Sequence, residues 1–367
     1  MIMEDQLYKL ALHSVEGVGS IRAQQLLATF GDVRTIFELR EQDLTALSGI
    51  TEDIAQQICS GQALLKAETE LRWVEQYDIQ TFFIGDDDYP QRLRTIHQPP
   101  TLLFYKGNAP LNGLRAVGII GTRKPSPGGI WQVEKLVEGL QSYQPLILSG
   151  LAYGIDITAH RAALEHGLPT VGVLGHGLSF MYPSRHRATA QEMIENGGLL
   201  TEYSFQTKPD PRHFPMRNRI VAGLCDALVV VETARKGGSI ITAEYANNYN
   251  RDVFAVPGRP GEPKSEGCNW LIKSHKASLL ESANDLAYLM HWQATNQAPA
   301  EQLQLFEELT EEEKIVVNLL KAHEALHIDR LSRESQLPHG LLATVLLEVE
   351  CKGLIRTLPG KRYVLKR

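Results

Sequence analysis

The sequence predicts an α/β protein built on a doubly wound, parallel, Rossmann-like sheet. Three observations predict it. Short apolar runs alternate with helical stretches at a spacing that suits strand–helix–strand units. The run 227–231, with three consecutive valines, has the length and composition of a strand buried on both faces. Several runs stop at small or polar residues: Gly121-Thr122-Arg123, Ser149-Gly150, Gly175-His176-Gly177 and Lys236-Gly237-Gly238-Ser239.

Taken in order, residues 1–75 read as a small all-α domain. Helices are expected over 7–13 and 21–30, with the turn Val15-Glu16-Gly17-Val18-Gly19-Ser20 between them. Apolar-x-Gly-apolar-Gly between two helices resembles a helix-hairpin-helix. A weaker copy, Leu47-Ser48-Gly49-Ile50-Thr51, precedes a helix over 52–60. Two such pseudo-repeats favour a helix-hairpin-helix or sterile-alpha-motif-like (SAM-like) module. Two readings stay open for it: hairpin N–H groups that meet a DNA phosphate, or a packing module. The acidic neighbours Glu16, Asp32, Glu52 and Asp53 weigh against the first.

The Rossmann-like domain is expected over 76–292. Short strands fall at 81–84 and 102–107. The loop Asp86-Asp87-Asp88-Tyr89-Pro90 between them reads as a solvated turn, since no metal-ligand pattern continues downstream. The core strands follow at 116–120, 146–148, 170–174, 199–203, 227–231 and 253–256. Helices are expected over 130–140, 157–166, 184–196 and 240–249. A linker over 293–306, rich in Gln, Ala and Asn, leads to a tail of three helices and a hairpin around Pro359-Gly360. That order resembles a winged helix, over 307–367. Its third helix is apolar with little positive charge, which favours a structural or protein-contact role over DNA reading.

The net charge of −6 gives no global sign of nucleic-acid binding, so any polyanion site must be a local basic patch. Cys59, Cys225, Cys268 and Cys351 form no CxxC pair, which fits a reducing cytoplasm and disfavours a zinc site. No signal peptide is legible, and no run approaches the roughly 18 apolar residues of a membrane span. Neither GxGxxG nor GxxxxGK[ST] is present, which disfavours a nicotinamide dehydrogenase and a Walker-type ATPase.

On a doubly wound sheet, ligands bind beyond the carboxyl ends of the strands. The four loops named above therefore face one side. Glycines allow close approach of a phosphate, and Ser239 is expected as a helix-capping hydroxyl. Arg123, Arg217, Arg219 and Lys236 supply charge. Phe214 sits in a run with Arg212, Arg217 and Arg219, a basic stretch with an aromatic suited to stacking on a base. An arginine beside Glu202 or Glu232 has a second reading, as a buried ion-pair partner.

The motifs Gly121-Thr122-Arg123, Ser149-Gly150-x-Ala-x-Gly154-Ile155-Asp156-x-x-Ala159-His160, Phe214-Pro215-x-Arg217-Asn218-Arg219-Ile220 and Lys236-Gly237-Gly238-Ser239-x-x-Thr242-Ala243 together resemble the DNA-processing protein A family (DprA, also called Smf). The resemblance covers residues 80–290 closely, and the flanking domains match the family's three-part layout. Thr122 stands where the family has serine and keeps the hydroxyl. The resemblance implies a non-enzymatic single-stranded DNA-binding protein of natural transformation, without cofactor or metal. It would protect incoming strands, displace single-strand-binding protein and help load RecA recombinase. It also implies a DNA pocket of Arg123, Phe214, Arg217, Asn218, Arg219, Lys236, Gly237, Gly238 and Ser239, beside the loop residues Gly121, Thr122, Ser149 and Gly150. A homodimer is implied, placed on or near Trp270, Leu271 and Ile272. A rival class remains. Gly-Gly-Ser-x-x-Thr-x-Glu, ending at Glu244, is similar to the loop of nucleoside-monophosphate phosphoribohydrolases.

Overall fold

A computed structural model describes residues 2–113, 115–294, 310–322, 326–352, 354–358 and 361–365. The chain packs as two compact units, residues 1–296 and 297–367.

In the first unit, helices α1 (Ile2–Ser14), α2 (Ser20–Phe30), α3 (Val33–Glu38), α4 (Glu41–Thr45), α5 (Glu52–Cys59) and α6 (Gln62–Gln76) come first. The two pseudo-repeats are bonded to each other. Arg22 on α2 donates from Nε to Gly49 O at 2.8 Å and from Nη1 to Gly17 O at 2.5 Å, and Gln25 donates to Ser48 O at 2.9 Å. The sheet follows: β1 (Gln80–Phe83), α7 (Gln91–Arg94), β2 (Leu102–Gly107), β3 (Ala116–Gly121), α8 (Pro127–Leu140), β4 (Leu146–Ser149), α9 (Ile155–Glu165) and β5 (Thr170–Val173). It continues with α10 (Arg187–Glu195), β6 (Gly197–Thr201), α11 (His213–Leu224), β7 (Ala227–Val231), α12 (Gly238–Asn248), β8 (Asp252–Ala255), α13 (Glu266–Lys273), β9 (Ser278–Leu279) and α14 (Ala283–Leu289).

The sheet order is β1-β2-β6-β5-β4-β3-β7-β8-β9. From β6 to β9 every neighbouring pair is parallel, and β1 and β2 add an antiparallel extension beside β6. The chain starts the parallel part at β3, walks outward through β4, β5 and β6, then returns to the other side of β3 as β7. The loops after β3 and β7 thus diverge and leave a crevice, the switch point of a doubly wound sheet.

Side chains alternate across the sheet with period two. Val117, Ile119, Val229 and Val231 pack under α8, α9 and α14, whereas Leu228 and Val230 face α11, α12 and α13. The second face shares one continuous apolar core with helices α1–α6. The all-α N-terminal module expected from the sequence is present, and it packs onto the sheet within the same unit. Polar contacts fix it further. Lys9 on α1 pairs with Asp86 at 2.7 Å, so the acidic loop holds a lysine. The buried carboxylate of Glu70 accepts from Phe205 N at 2.6 Å. Trp73 and Tyr77 lie on the Phe205 ring, with centroids 5.4 and 4.7 Å away.

The second unit contains α15 (Glu311–Ala322), β10 (Leu326–His327), α16 (Ile328–Ser335), α17 (His339–Cys351), β11 (Ile355–Leu358) and β12 (Arg362–Leu365). Its antiparallel sheet runs β10-β12-β11. This is the winged-helix order expected. Most of the expected linker and the Pro359-Gly360 turn lie outside the described residues. No helix among the described residues is long and apolar enough to cross a membrane.

Candidate nucleic-acid interface

The crevice between the β3 and β7 loops holds a cavity of about 470 Å³. Its two lips are bonded: Thr122 N donates to Glu232 O at 2.7 Å. The Glu232 carboxylate accepts from Ser126 N at 2.8 Å and from the Ser126 hydroxyl, which itself caps α8. A Cβ at Gly154, whose φ is +81°, would overlap the Thr122 carbonyl, so glycine lets the β4 loop close against the β3 lip.

One wall is the N-terminal part of α11. The sequence reading took residues 212–219 as one basic cluster, but they form a helix with two faces. Residues three and four apart share a face, and residues two apart do not. Phe214, Arg217 and Asn218 accordingly line the crevice. Arg219 turns away, is buried at 8% exposure and pairs with Glu202. Arg212 is exposed and holds Asp210 at 2.8 Å. So Arg219 is not brought together with the other predicted DNA residues; the ion-pair reading describes its surroundings.

Phe214 is half-buried against Gly175, and the Arg123 guanidinium lies 5.9 Å from its ring centre. Tyr182, absent from the sequence reading, tilts against the same ring at 5.6 Å and is 47% exposed. Arg123 is exposed at the lip. These groups make a cationic, aromatic surface with its polar edges open.

Arg217 differs. It is 3% exposed, and its Nη1 donates to Gly150 O at 2.5 Å and to Val173 O. It thereby ties the carboxyl ends of β4 and β5. Its Nε reaches Asn218 Oδ1 at 3.2 Å. Burial pulls its pKa down to about 10, against the attraction of Asp156. Asp156 is itself raised by burial, opposed by Arg217 and by backbone hydrogen bonds from Ala152 and Gly150. Ser149 is fully buried and donates to Ile119 O at 2.5 Å. Ser149, Gly150, Asp156 and Arg217 are thus a polar floor that holds the crevice open.

The opposite wall is the start of α12. Its N-cap is Gly237, with no side-chain cap and no acidic residue in the first turn. Ser239, expected as the cap, lies inside the first turn and is 8% exposed. Gly237 N donates to Ala234 O at 2.9 Å, and the helix dipole with the leading N–H groups at Gly238 and Ser239 favours an anion. Lys236 is exposed on the loop just before them, while Arg235 turns onto Trp270, 3.6 Å from its ring centre. Glu244, the carboxylate of the phosphoribohydrolase-like pattern, is not among the crevice residues; it is exposed and 3.5 Å from Lys276.

Of the three proposed dimer residues, Leu271 is fully buried in the core on the inner face of α13. It cannot meet a partner, which corrects that expectation. Trp270 and Ile272 are half-buried on the helix's other sides.

Fold and site together define a doubly wound α/β protein with a cationic, glycine-edged crevice at its switch point. The model of the family described as DNA recombination-mediator protein A matches residues 80–291, those of a DprA winged helix domain and a SAM-like helix-hairpin-helix tandem match 297–361 and 9–61, and the chain belongs to this DNA-processing protein A (DprA/Smf) family. Protein Smf of Synechocystis is 30% identical over 99% of both chains. DNA processing protein DprA of Streptococcus pneumoniae is 44% identical over 56% of this chain and 72% of its own. The X-ray structure of the S. pneumoniae protein superposes with a TM-score of 0.67 at 34% identity, covering 79% of this chain and 98% of that one. The Helicobacter pylori DNA processing protein A, described for its single-stranded DNA binding mode, superposes with a TM-score of 0.54 at 28% identity, covering 59% of this chain and 98% of that one.

Proposed function

We propose that the crevice binds single-stranded DNA with little sequence preference, and that the chain is a binding protein rather than an enzyme. The observation that carries this reading is the juxtaposition of Phe214 and the exposed Arg123 with the uncapped N-terminus of α12. An aromatic surface takes any base, and the guanidinium and free N–H groups take phosphates. Similarity to the H. pylori protein supports the same reading. In this account Arg123, Lys236 and the N–H groups at Gly238 and Ser239 contact phosphate. Phe214, flanked by Tyr182, carries a base, and Arg217 positions the floor.

The family role completes the proposal. The protein works in the cytoplasm in natural transformation, guards incoming strands and passes them to RecA recombinase in place of single-strand-binding protein. It does so as a homodimer, assembled beside Ile272 and the open edge of β9. An unpaired strand edge next to apolar surface is the kind of feature a two-fold contact covers.

The test is binding of labelled oligothymidylate to Phe214→Ala and Lys236→Ala. Phe214→Ala is expected to weaken binding by roughly 1–3 kcal/mol with the salt dependence kept. Lys236→Ala is expected to weaken binding and to lower the salt slope by about 0.7. If both variants fold and bind as the wild type does, the crevice is not the DNA site.

A further inference from the structure

Helices α1 and α6 and the segment between β6 and α11 enclose a second cavity, a cleft of about 530 Å³. Small-molecule sites occupy roughly 300–1,000 Å³. Lys66, Glu70 and Trp73 are four and three residues apart on α6, so they share the helix face that lines the cleft. Ser204 and Thr207 bring hydroxyl side chains from the segment after β6. His13 on α1 adds no charge, because burial holds it neutral at a pKa of about 4. None of these residues lines the crevice.

Glu70 is the group that points to a ligand. It is 8% exposed, and its Oε1 accepts from Phe205 N at 2.6 Å. Burial raises its pKa, opposed by that one bond. Its Oε2 accepts no hydrogen bond among the described residues and is not sealed from solvent, so it opens on the cleft that the side chain lines. A carboxylate so placed lacks a donor, and N–H groups of a ligand supply one. Trp73 is half-buried against the Phe205 ring, and its remaining surface lines the cleft beside Glu70. Lys66 is exposed at the rim and has no ion-pair partner among the described residues.

An acceptor carboxylate, an aromatic plate and an ammonium group in one cleft match the base edge, the base face and the phosphate of a nucleotide. We propose that this cleft binds a free nucleoside monophosphate, with the base edge on Glu70, the base face on Trp73 and the phosphate on Lys66. Guanine is the base preferred. Its Watson–Crick edge sets N1–H and N2–H side by side, whereas the other bases set an acceptor next to each N–H, and that acceptor meets the carboxylate's charge. The hydroxyls of Ser204 and Thr207 are placed for the sugar. The site does not depend on the function proposed for the crevice.

Isothermal titration of the full chain with the monophosphates of guanosine, adenosine, cytidine and uridine tests this. Guanosine monophosphate is expected to bind the wild type about tenfold tighter than the other three, the size of one charge-assisted hydrogen bond. Glu70→Gln keeps an oxygen for Phe205 N and turns the open group from acceptor to donor, so the preference for guanine is expected to be lost. Lys66→Ala removes an exposed side chain and is expected to weaken guanosine monophosphate by about tenfold while leaving guanosine unchanged. Glu68→Gln changes an exposed carboxylate on α6 that does not line the cleft, and serves as control. Oligothymidylate, added to fill the crevice, is expected not to displace the nucleotide. If Glu70→Gln fails to fold in a melt, Lys66→Ala decides alone. The cleft is not a nucleotide site if the wild type binds none of the four or binds them equally, if the folded variants match the wild type, or if Glu68→Gln loses as much. Displacement by oligothymidylate also overturns it, since the nucleotide then sits in the crevice. If the wild type binds no oligothymidylate, the crevice reading fails, and the variants still decide the cleft.

Discussion

Arg217 and Arg219 are two residues apart, and their environments separate them more than their sequence does. Both are buried charges, but Arg219 is paired with Glu202, whereas Arg217 lies near Asp156 and spends its hydrogen bonds on Gly150 O, Val173 O and Asn218. Removing the Arg217 guanidinium leaves those buried acceptors unpaired, at about 1–3 kcal/mol each. Arg217→Ala is therefore expected to lower Tm strongly in thermal melts, in contrast to Lys236→Ala, whose side chain is exposed. Weakened DNA binding by Arg217→Ala would report a collapsed floor, so it must be read together with its melt. His160 gives a pH signature. It is fully buried on α9 with Nδ1 2.6 Å from Thr170 Oγ1, and burial, aided by Arg217 and His186, pulls its pKa to about 3. The unfolded chain takes up this proton near 6.5 and the folded chain does not, so folding stability falls as pH drops from 6.5 towards 3. His160→Gln should flatten that part of a stability-against-pH curve; an unchanged acid limb would show that other groups govern it.

At the scale of elements, legibility followed the strength of the local signal. The core strands are short runs of Val, Ile and Leu between stops, and their expected and observed bounds agree within a residue or two, as for 253–256 against Asp252–Ala255. Helix α11 carried no such signal. Its first turn contains Pro215, and Arg217 and Arg219 interrupt any apolar stripe there, so no helix is expected over it. Proline is tolerated there because the first N–H groups of a helix have no intrahelical partner. Missing that helix merged two faces into one basic patch, which is why Arg219 was placed in the crevice. Tyr182 was missed because only the fold brings it beside Phe214. Leu271 was misread because three bulky residues in a row show no face until a helix is assumed. Leu271 points into the core, so Leu271→Asp should unfold the protein. Ile272→Asp should keep the melt and shift a homodimer to monomer in light scattering. A wild type that is monomeric at tens of micromolar would contradict the assembly.

At the scale of the whole molecule, an acidic chain concentrates its accessible positive potential in few places. The net charge is −6, yet the crevice gathers Arg123 and the α12 N-terminus on one side of the sheet, with Lys236 exposed on the loop that precedes α12. The first unit is a single body in which the helical module, the α11 wall and the crevice share packing, because Glu70, Trp73 and Tyr77 grip the segment that leads from β6 to α11. A surface built from an aromatic face and a short row of phosphate contacts needs bases that are unstacked, which a duplex does not offer. The most direct test is the affinity of the full chain for single-stranded and duplex oligonucleotides of equal length across a salt series. The account predicts preference for the single strand at every salt concentration, with log affinity falling linearly in log salt at about 0.7 per phosphate contact. Equal affinity for the two forms across the series would contradict it.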